Sequence, residues 1–156
     1  MKSQIMVFMP LVFALVVIGC TSNSTSPSAV PPTEAPIATE APTVEDKASL
    51  MAALQAAGTT VEPGEPVSQA FFTPEGSLIR VNEADVQVFE YKSAEEMENE
   101  ASQVSSDGGS IGTSMVTWID TPHFYKAGRI IVLYVGDDIA VLGSLERALS
   151  PQFAGG

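Results

Sequence analysis

The segment RIIVLYVGDDIAVLGSLERAL, Arg129 to Leu149, carries the plan of the fold. Its first seven residues are nearly unbroken in apolar character, the pattern of a central strand covered on at least one face. Gly136-Asp137-Asp138 interrupts the run and supplies a helix start. Ile139, Leu142, Leu145 and Leu149 then recur at helical spacing and are expected to face inward, with Pro151 as the stop. A strand that runs through a polar cap into an amphipathic helix points to an α+β sheet.

The same order occurs upstream in VFEYKSAEEMENEASQV, Val88 to Val104. Ser93-Ala94-Glu95-Glu96 is a capping box, and Ala94, Met97, Ala101 and Val104 fall on one stripe. Glu95, Glu96, Glu98 and Glu100 lie largely off it and read as a solvated face that complements the helix N-terminus. Each of the two units is preceded by an aromatic strand end and a Thr-Pro turn, Phe71 to Pro74 and Trp118 to Pro122.

Further upstream, Thr43 can cap a helix running to Gln55–Ala57, with Leu50, Met51 and Leu54 on one face and Gly58 as its stop. Extended pieces are expected at Thr59–Glu62, Val67–Phe72, Ser77–Val81 and Asp85–Tyr91, separated by turns at Pro63-Gly64 and Thr73–Gly76. SSDGGS, Ser105 to Ser110, reads as a loop. Gly112–Ile119 and Arg129–Val135 read as strands joined around Thr121–Gly128. The expected order is α-β-β-β-β-α-β-β-α over residues 44–156. That predicts one α+β domain, an antiparallel sheet with its helices packed on one face, arranged as two ββα units behind a leading helix.

Residues 1–20 have a different character. Lys2 is followed by an uncharged apolar run from Ile5 to Gly19 and then by Cys20, the only cysteine. As a helix the run covers roughly 22 Å, short of the ~30 Å hydrocarbon core, and Pro10 interrupts it. Residues 1–19 therefore read as a removable export signal rather than a permanent span. Val17-Ile18-Gly19-Cys20 resembles the lipobox of bacterial lipoproteins. The resemblance implies diacylglyceryl transfer to the Cys20 sulfur, cleavage before it and acylation of the new amine. It places the chain on the extracytoplasmic side of the cell membrane or outer membrane, with membrane lipid as the partner of Cys20. Thr21, standing where an aspartate often retains such proteins at an inner membrane, leans by the same analogy toward the outer one. One acyl chain binds a bilayer with K of about 10⁴ M⁻¹, so lasting attachment takes two or three.

Between the cysteine and the domain, residues 20–43 hold five of the 11 prolines and few large apolar side chains. Such a segment buries too little surface to offset its ordering entropy and reads as a disordered tether, with a reach of up to ~70 Å. The net charge of −12 argues against nucleic acid as a partner, because phosphate binding needs clustered Lys and Arg. After Cys20 there is no cysteine, so the domain relies on its apolar core without a disulfide or a thiolate metal site.

Candidate chemistry is sparse. Gly108-Gly109-Ser110-Ile111-Gly112 matches G-x-S-x-G, and Asp120 and His123 follow in hydrolase order. The nucleophile elbow of that motif runs from strand to helix, whereas this loop runs from helix to strand. His123, the only histidine, is expected in a hairpin loop between aromatic residues. Asp120-x-x-His123 offers two metal ligands without a third, and Asp137-Asp138 is explained as a helix start. No cofactor motif stands out. Trp118, Phe124 and Tyr125, with Phe71 and Phe72 from the other half, are the candidate lining of a ligand or partner patch beside His123. The resulting expectation is a non-enzymatic binding domain held at a membrane, engaging an envelope protein or a small ligand. The alternative is a small envelope hydrolase using His123 with Asp120 or Ser110.

Overall fold

A computed structural model describes residues 43–156. The expected signal segment 1–19, Cys20 and the tether through residue 42 lie outside the described residues. In chain order the elements are α1 (Lys47–Ala56), β1 (Val61–Val67), β2 (Gly76–Val81), β3 (Ala84–Glu90) and α2 (Ala94–Ala101). They continue as β4 (Ser110–Ile111), β5 (Ser114–Met115), β6 (Pro122–Ala127), β7 (Ile130–Val135), α3 (Ile139–Leu149) and β8 (Ala154–Gly155). Six strands make one sheet in the order β1-β2-β3-β7-β6-β8 with every neighbour antiparallel, and β4 and β5 form a separate hairpin. The fold is α+β.

The apolar run seen in the sequence becomes β7, flanked by β3 and β6. Alternate residues of a strand face opposite sides of its sheet, and β7 is apolar at both parities. Ile130, Val132 and Tyr134 join Val86, Val88 and Tyr125 in a core completed by Leu50 and Leu54 of α1 and by Val141, Leu145 and Leu149 of α3. Ile131 and Leu133 join Phe89 and Phe124 in a second core, completed by Met97 and Ala101 of α2 and by Phe72 and Ile111. Each fully buried aliphatic or aromatic side chain contributes about 1.5–3 kcal/mol, so neither face can be left wet.

This corrects the expectation that the helices share one face. It holds for α1 and α3, whereas α2 covers the opposite side. The hairpin–helix order does occur twice, as β2-β3-α2 and β6-β7-α3, with β3 and β7 side by side at the centre. Other boundaries shift as well. Pro63-Gly64 lies inside β1, where the pairing with β2 is irregular between Pro63 and Pro66, instead of dividing two strands. Residues 68–75 are turns and bends rather than a strand, and Gly112–Ile119 contributes only β5. Ile139, expected to face inward, is 85% exposed because it is the first residue of α3 and precedes the buried stripe.

Local chemistry closes the helix ends. Asp46, rather than Thr43, caps α1. Its carboxylate accepts from Ser49 N at 2.9 Å, which holds its pKa below the usual carboxylate range, and Ser49 Oγ accepts from Asp46 N. Ser93 accepts from Glu96 N at 3.2 Å at the start of α2, which is the N-cap half of the expected capping box; the Glu96 carboxylate accepts instead from Lys92 N. Asp138 accepts from Ala140 N at 2.8 Å at the start of α3. In each case a donor of the first turn, which has no partner within its own helix, is satisfied.

The β6–β7 hairpin closes on Gly128-Arg129, and the chain before α1 crosses this turn. Arg129 N donates to Glu45 O at 2.9 Å, and Gly128 has φ +49°. A Cβ at Gly128 would sit inside the Glu45 backbone. Gly128→Ala is therefore expected to lower stability by about 3 kcal/mol, measured as a drop in the denaturation midpoint at unchanged m.

Tyr125 is fully buried and its hydroxyl has no hydrogen-bond partner among the described residues. Burial, and then the Glu146 carboxylate, push its pKa up to about 12. The neutral phenol is thus the form the fold holds. The stability this supplies is complete below the unfolded value of 10.0 and is lost as pH rises toward the folded one. Tyr125→Phe removes both the unpartnered hydroxyl and this titration. Urea denaturation is expected to show a gain of about 1 kcal/mol at neutral pH and a shallower loss between pH 10 and 12.

Candidate functional site

The six residues expected to line a patch fall into two groups. β6 is a strand, so its side chains alternate, and the expected hairpin loop at Pro122–Lys126 does not exist. Phe124 points into the core beneath α2, whereas Tyr125 points into the core beneath α1 and α3. His123 shares the side of Tyr125 and stacks on Tyr134, with ring centroids 6.1 Å apart.

Four of the rings do meet. Phe71 contacts Phe72 and Trp118 edge-on at 5.1 and 5.8 Å, Trp118 meets Phe124 at 5.8 Å, and Phe72 meets Phe89 at 4.7 Å. Such edge-on pairs are the favoured aromatic geometry. Phe72 and Phe124 are buried, however, and only Phe71 and Trp118 reach the surface in part. The set is an aromatic core with a narrow rim, which corrects the expectation of an open patch. The glycine-rich loop serves it: Trp118 Nε1 donates to Gly108 O at 2.8 Å. Gly108 has φ +69° and lies where a Cβ would strike the Phe124 ring.

His123 is 6% exposed. Its Nδ1 is 2.6 Å from Gln152 Oε1, while Gln152 Nε2 donates to Gly155 O at 3.2 Å. That orientation makes Nδ1 the protonated nitrogen of the neutral ring. Nε2 is buried without a hydrogen-bond partner, 3.8 Å from Asp137 Oδ1. No hydrogen bond joins His123 to Ser110 or Asp120: Ser110 N donates to Ser105 Oγ, and Asp120 Oδ1 accepts from Thr121 N. The order of residues that resembled a hydrolase triad is therefore not assembled in space. A general base must come within hydrogen-bond reach of the proton it takes, and Nε2 is covered.

A concavity lies elsewhere, on residues that sequence reasoning did not single out. The end of β3, one face of α2 and the Thr73-Pro74 turn enclose a cleft of about 510 Å³. That is the size range of small-molecule sites. Glu96, Asn99 and Glu100 reach it from α2, where spacings of three and four residues put them on one face. Tyr91 and Lys92 reach it from the chain between β3 and α2.

Each wall is fixed from behind. Glu100 accepts from Thr73 N at 3.0 Å and from the Thr73 hydroxyl, tying α2 to the turn. The Glu96 carboxylate accepts from Lys92 N at 3.3 Å. Glu90 is 2.8 Å from Arg129 Nη2, and Arg129 Nη1 donates to Tyr91 O at 3.2 Å. Outside the cleft lining, Glu98 of α2 pairs with Lys126 of β6. Tyr91 is 5% exposed and its hydroxyl has no hydrogen-bond partner among the described residues. Burial, and then the Glu100 carboxylate, push its pKa above the ordinary phenol range.

No family model, curated protein or solved structure matches this chain. The site therefore rests on its own chemistry. Among the described residues, no three His, Cys, Asp or Glu side chains are grouped to hold a metal ion. The cleft offers acceptors, one phenol and one ammonium, without a nucleophile paired to a base.

The position of His123 sets a clear expectation for its replacement. His123→Ala removes a buried ring and leaves the Gln152 amide without its partner, so it is expected to cost about 3 kcal/mol in chemical denaturation.

Proposed function

We propose that the chain is a lipid-anchored binding domain on the extracytoplasmic side of a bacterial membrane. It works by holding a small ligand or an exposed group of an envelope protein rather than by breaking a bond. The cleft between β3 and α2 carries the binding half of this reading. It is large enough for a small molecule, and its walls are fixed by hydrogen bonds. The buried and tautomerically fixed His123 favours binding over hydrolysis with Asp120 or Ser110.

The address rests on the likeness of Val17-Ile18-Gly19-Cys20 to a lipobox and on the Pro-, Ser- and Thr-rich segment that follows it. The acidic body would be repelled by anionic headgroups, so attachment requires covalent lipid. Among the described residues no helix is long and apolar enough to cross a membrane. The wild-type chain is expected in the membrane fraction, with the mature N-terminal peptide carrying acyl groups on Cys20 by mass spectrometry. Cys20→Ser is expected to leave that fraction. A serine variant that still sediments with membranes, or an unmodified cysteine, would refute the anchor.

A further inference from the structure

Three large apolar side chains stand exposed among the described residues, Met115 at 91%, Ile119 at 100% and Ile139 at 85%, and they lie at one end of the sheet. Pro122 of β6 pairs with Val135 of β7, and Gly136 N donates to Thr121 O at 2.9 Å. The chain before β6 and the chain after β7 therefore leave the sheet side by side, with Ile119 on the first and Ile139 on the second. Met115 opens the segment Met115-Val116-Thr117-Trp118-Ile119, in which every residue but Thr117 is apolar.

This loop is held at its base. Val116 N donates to Gly109 O at 3.0 Å and Trp118 Nε1 to Gly108 O at 2.8 Å, and the indole meets the Phe71 and Phe124 rings at 5.8 Å. Val116 and Trp118 are half-buried by these contacts, while Met115 and Ile119 remain in solvent. Apolar side chains presented on a fixed loop lose little freedom when a partner covers them, which suits them as binding anchors.

Charge selects the occupant. Asp120, Asp137 and Asp138 are exposed beside Ile119 and Ile139, and Asp107 is exposed on the loop whose Gly108 abuts Pro122. None of the four pairs with a Lys or Arg among the described residues. A second copy would bring like charges together, and an anionic bilayer would repel them. The chain enters the domain at the opposite end of the β6–β7 hairpin, where Arg129 N donates to Glu45 O. The six residues of β6 put about 20 Å between the two ends.

We infer that the Met115–Ile119 loop and Ile139 form a docking surface for a protein that presents apolar side chains bordered by Lys or Arg. The surface lies on other elements than the cleft between β3 and α2, and neither reading depends on the other.

The test is a titration of the full chain in zwitterionic lipid nanodiscs with three blocked peptides: acetyl-Lys-Leu-Leu-Lys-amide, acetyl-Glu-Leu-Leu-Glu-amide and acetyl-Lys-Ser-Ser-Lys-amide. Trp118 is the only tryptophan, so its emission and the NMR shifts of neighbouring amides read the same place. The Lys-Leu peptide is expected to shift the amides of Met115, Ile119, Asp120 and Ile139 saturably and to change the emission, with binding that weakens as salt is raised. The other two peptides are expected to bind at least tenfold more weakly. Ile119→Ser, at a fully exposed position, is expected to weaken the Lys-Leu peptide about tenfold, and Asp120→Asn to weaken it several-fold, both with the fold intact. Equal binding of the acidic peptide would overturn the inference, as would silence of those amides to all three peptides. Shifts confined to Tyr91, Asn99 and Glu100 would overturn it and leave the cleft as the binding site. Broadening of the loop amides with protein concentration alone would assign the surface to a second copy, and broadening by spin-labelled lipid would assign it to the bilayer. Either outcome would overturn the inference.

Discussion

The structure depends on one constraint, that β7 is apolar on both of its faces. A strand of this kind cannot sit at a sheet edge or under a single layer without exposing a row of large side chains to water. β3 and β6 supply its backbone partners, α1 and α3 cover one side, and α2 with the aromatic group around Phe124 covers the other. The cleft is a by-product of that second cover. α2 is short, and a gap is left between it, the end of β3 and the Thr73-Pro74 turn.

Much of this architecture was legible in the sequence, and the reasons are local. Two caps of the expected type were found in place, Ser93 and Asp138, because a short polar side chain before an amphipathic run has few other uses. The central strand was legible because apolar residues without alternation fit few other environments. The side taken by α2 was not legible. Its stripe of Met97 and Ala101 states that one face is buried without stating against which side of the sheet. β6 was not legible as a strand because Pro122, His123 and Lys126 are residues common in loops. In fact Pro122 begins the strand, His123 is covered near the β8 pairing, and Lys126 reaches out to Glu98. The alternation of Phe124 and Tyr125 between the two cores was the available signal.

The cleft was hidden for a different reason. Its walls come from three separated segments, and the acidic run on α2 has an adequate explanation as a solvated helix start. What distinguishes Glu96 and Glu100 from Glu95 and Glu98 is the partner each meets in space: Lys92 N for the first, Thr73 for the second, and Lys126 for Glu98 outside the cleft lining. Helical spacing groups residues by face, but it cannot say which face borders a hollow. The aromatic residues erred in the opposite direction. Their proximity was foreseen, but tertiary packing turned most of the group inward.

The sheet has one long open margin, β1, and its composition has a consequence for crowding. Pro63 and Pro66 remove two amide donors from that margin and coincide with its pairing irregularity, and Glu62 and Glu65 add charge along the same strand. A margin so interrupted cannot template a strand from a neighbouring molecule, and like charges on two such margins repel. Were copies concentrated in two dimensions by the proposed lipid anchor, they would collide far more often than in dilute solution, and this edge would let them part without zipping together.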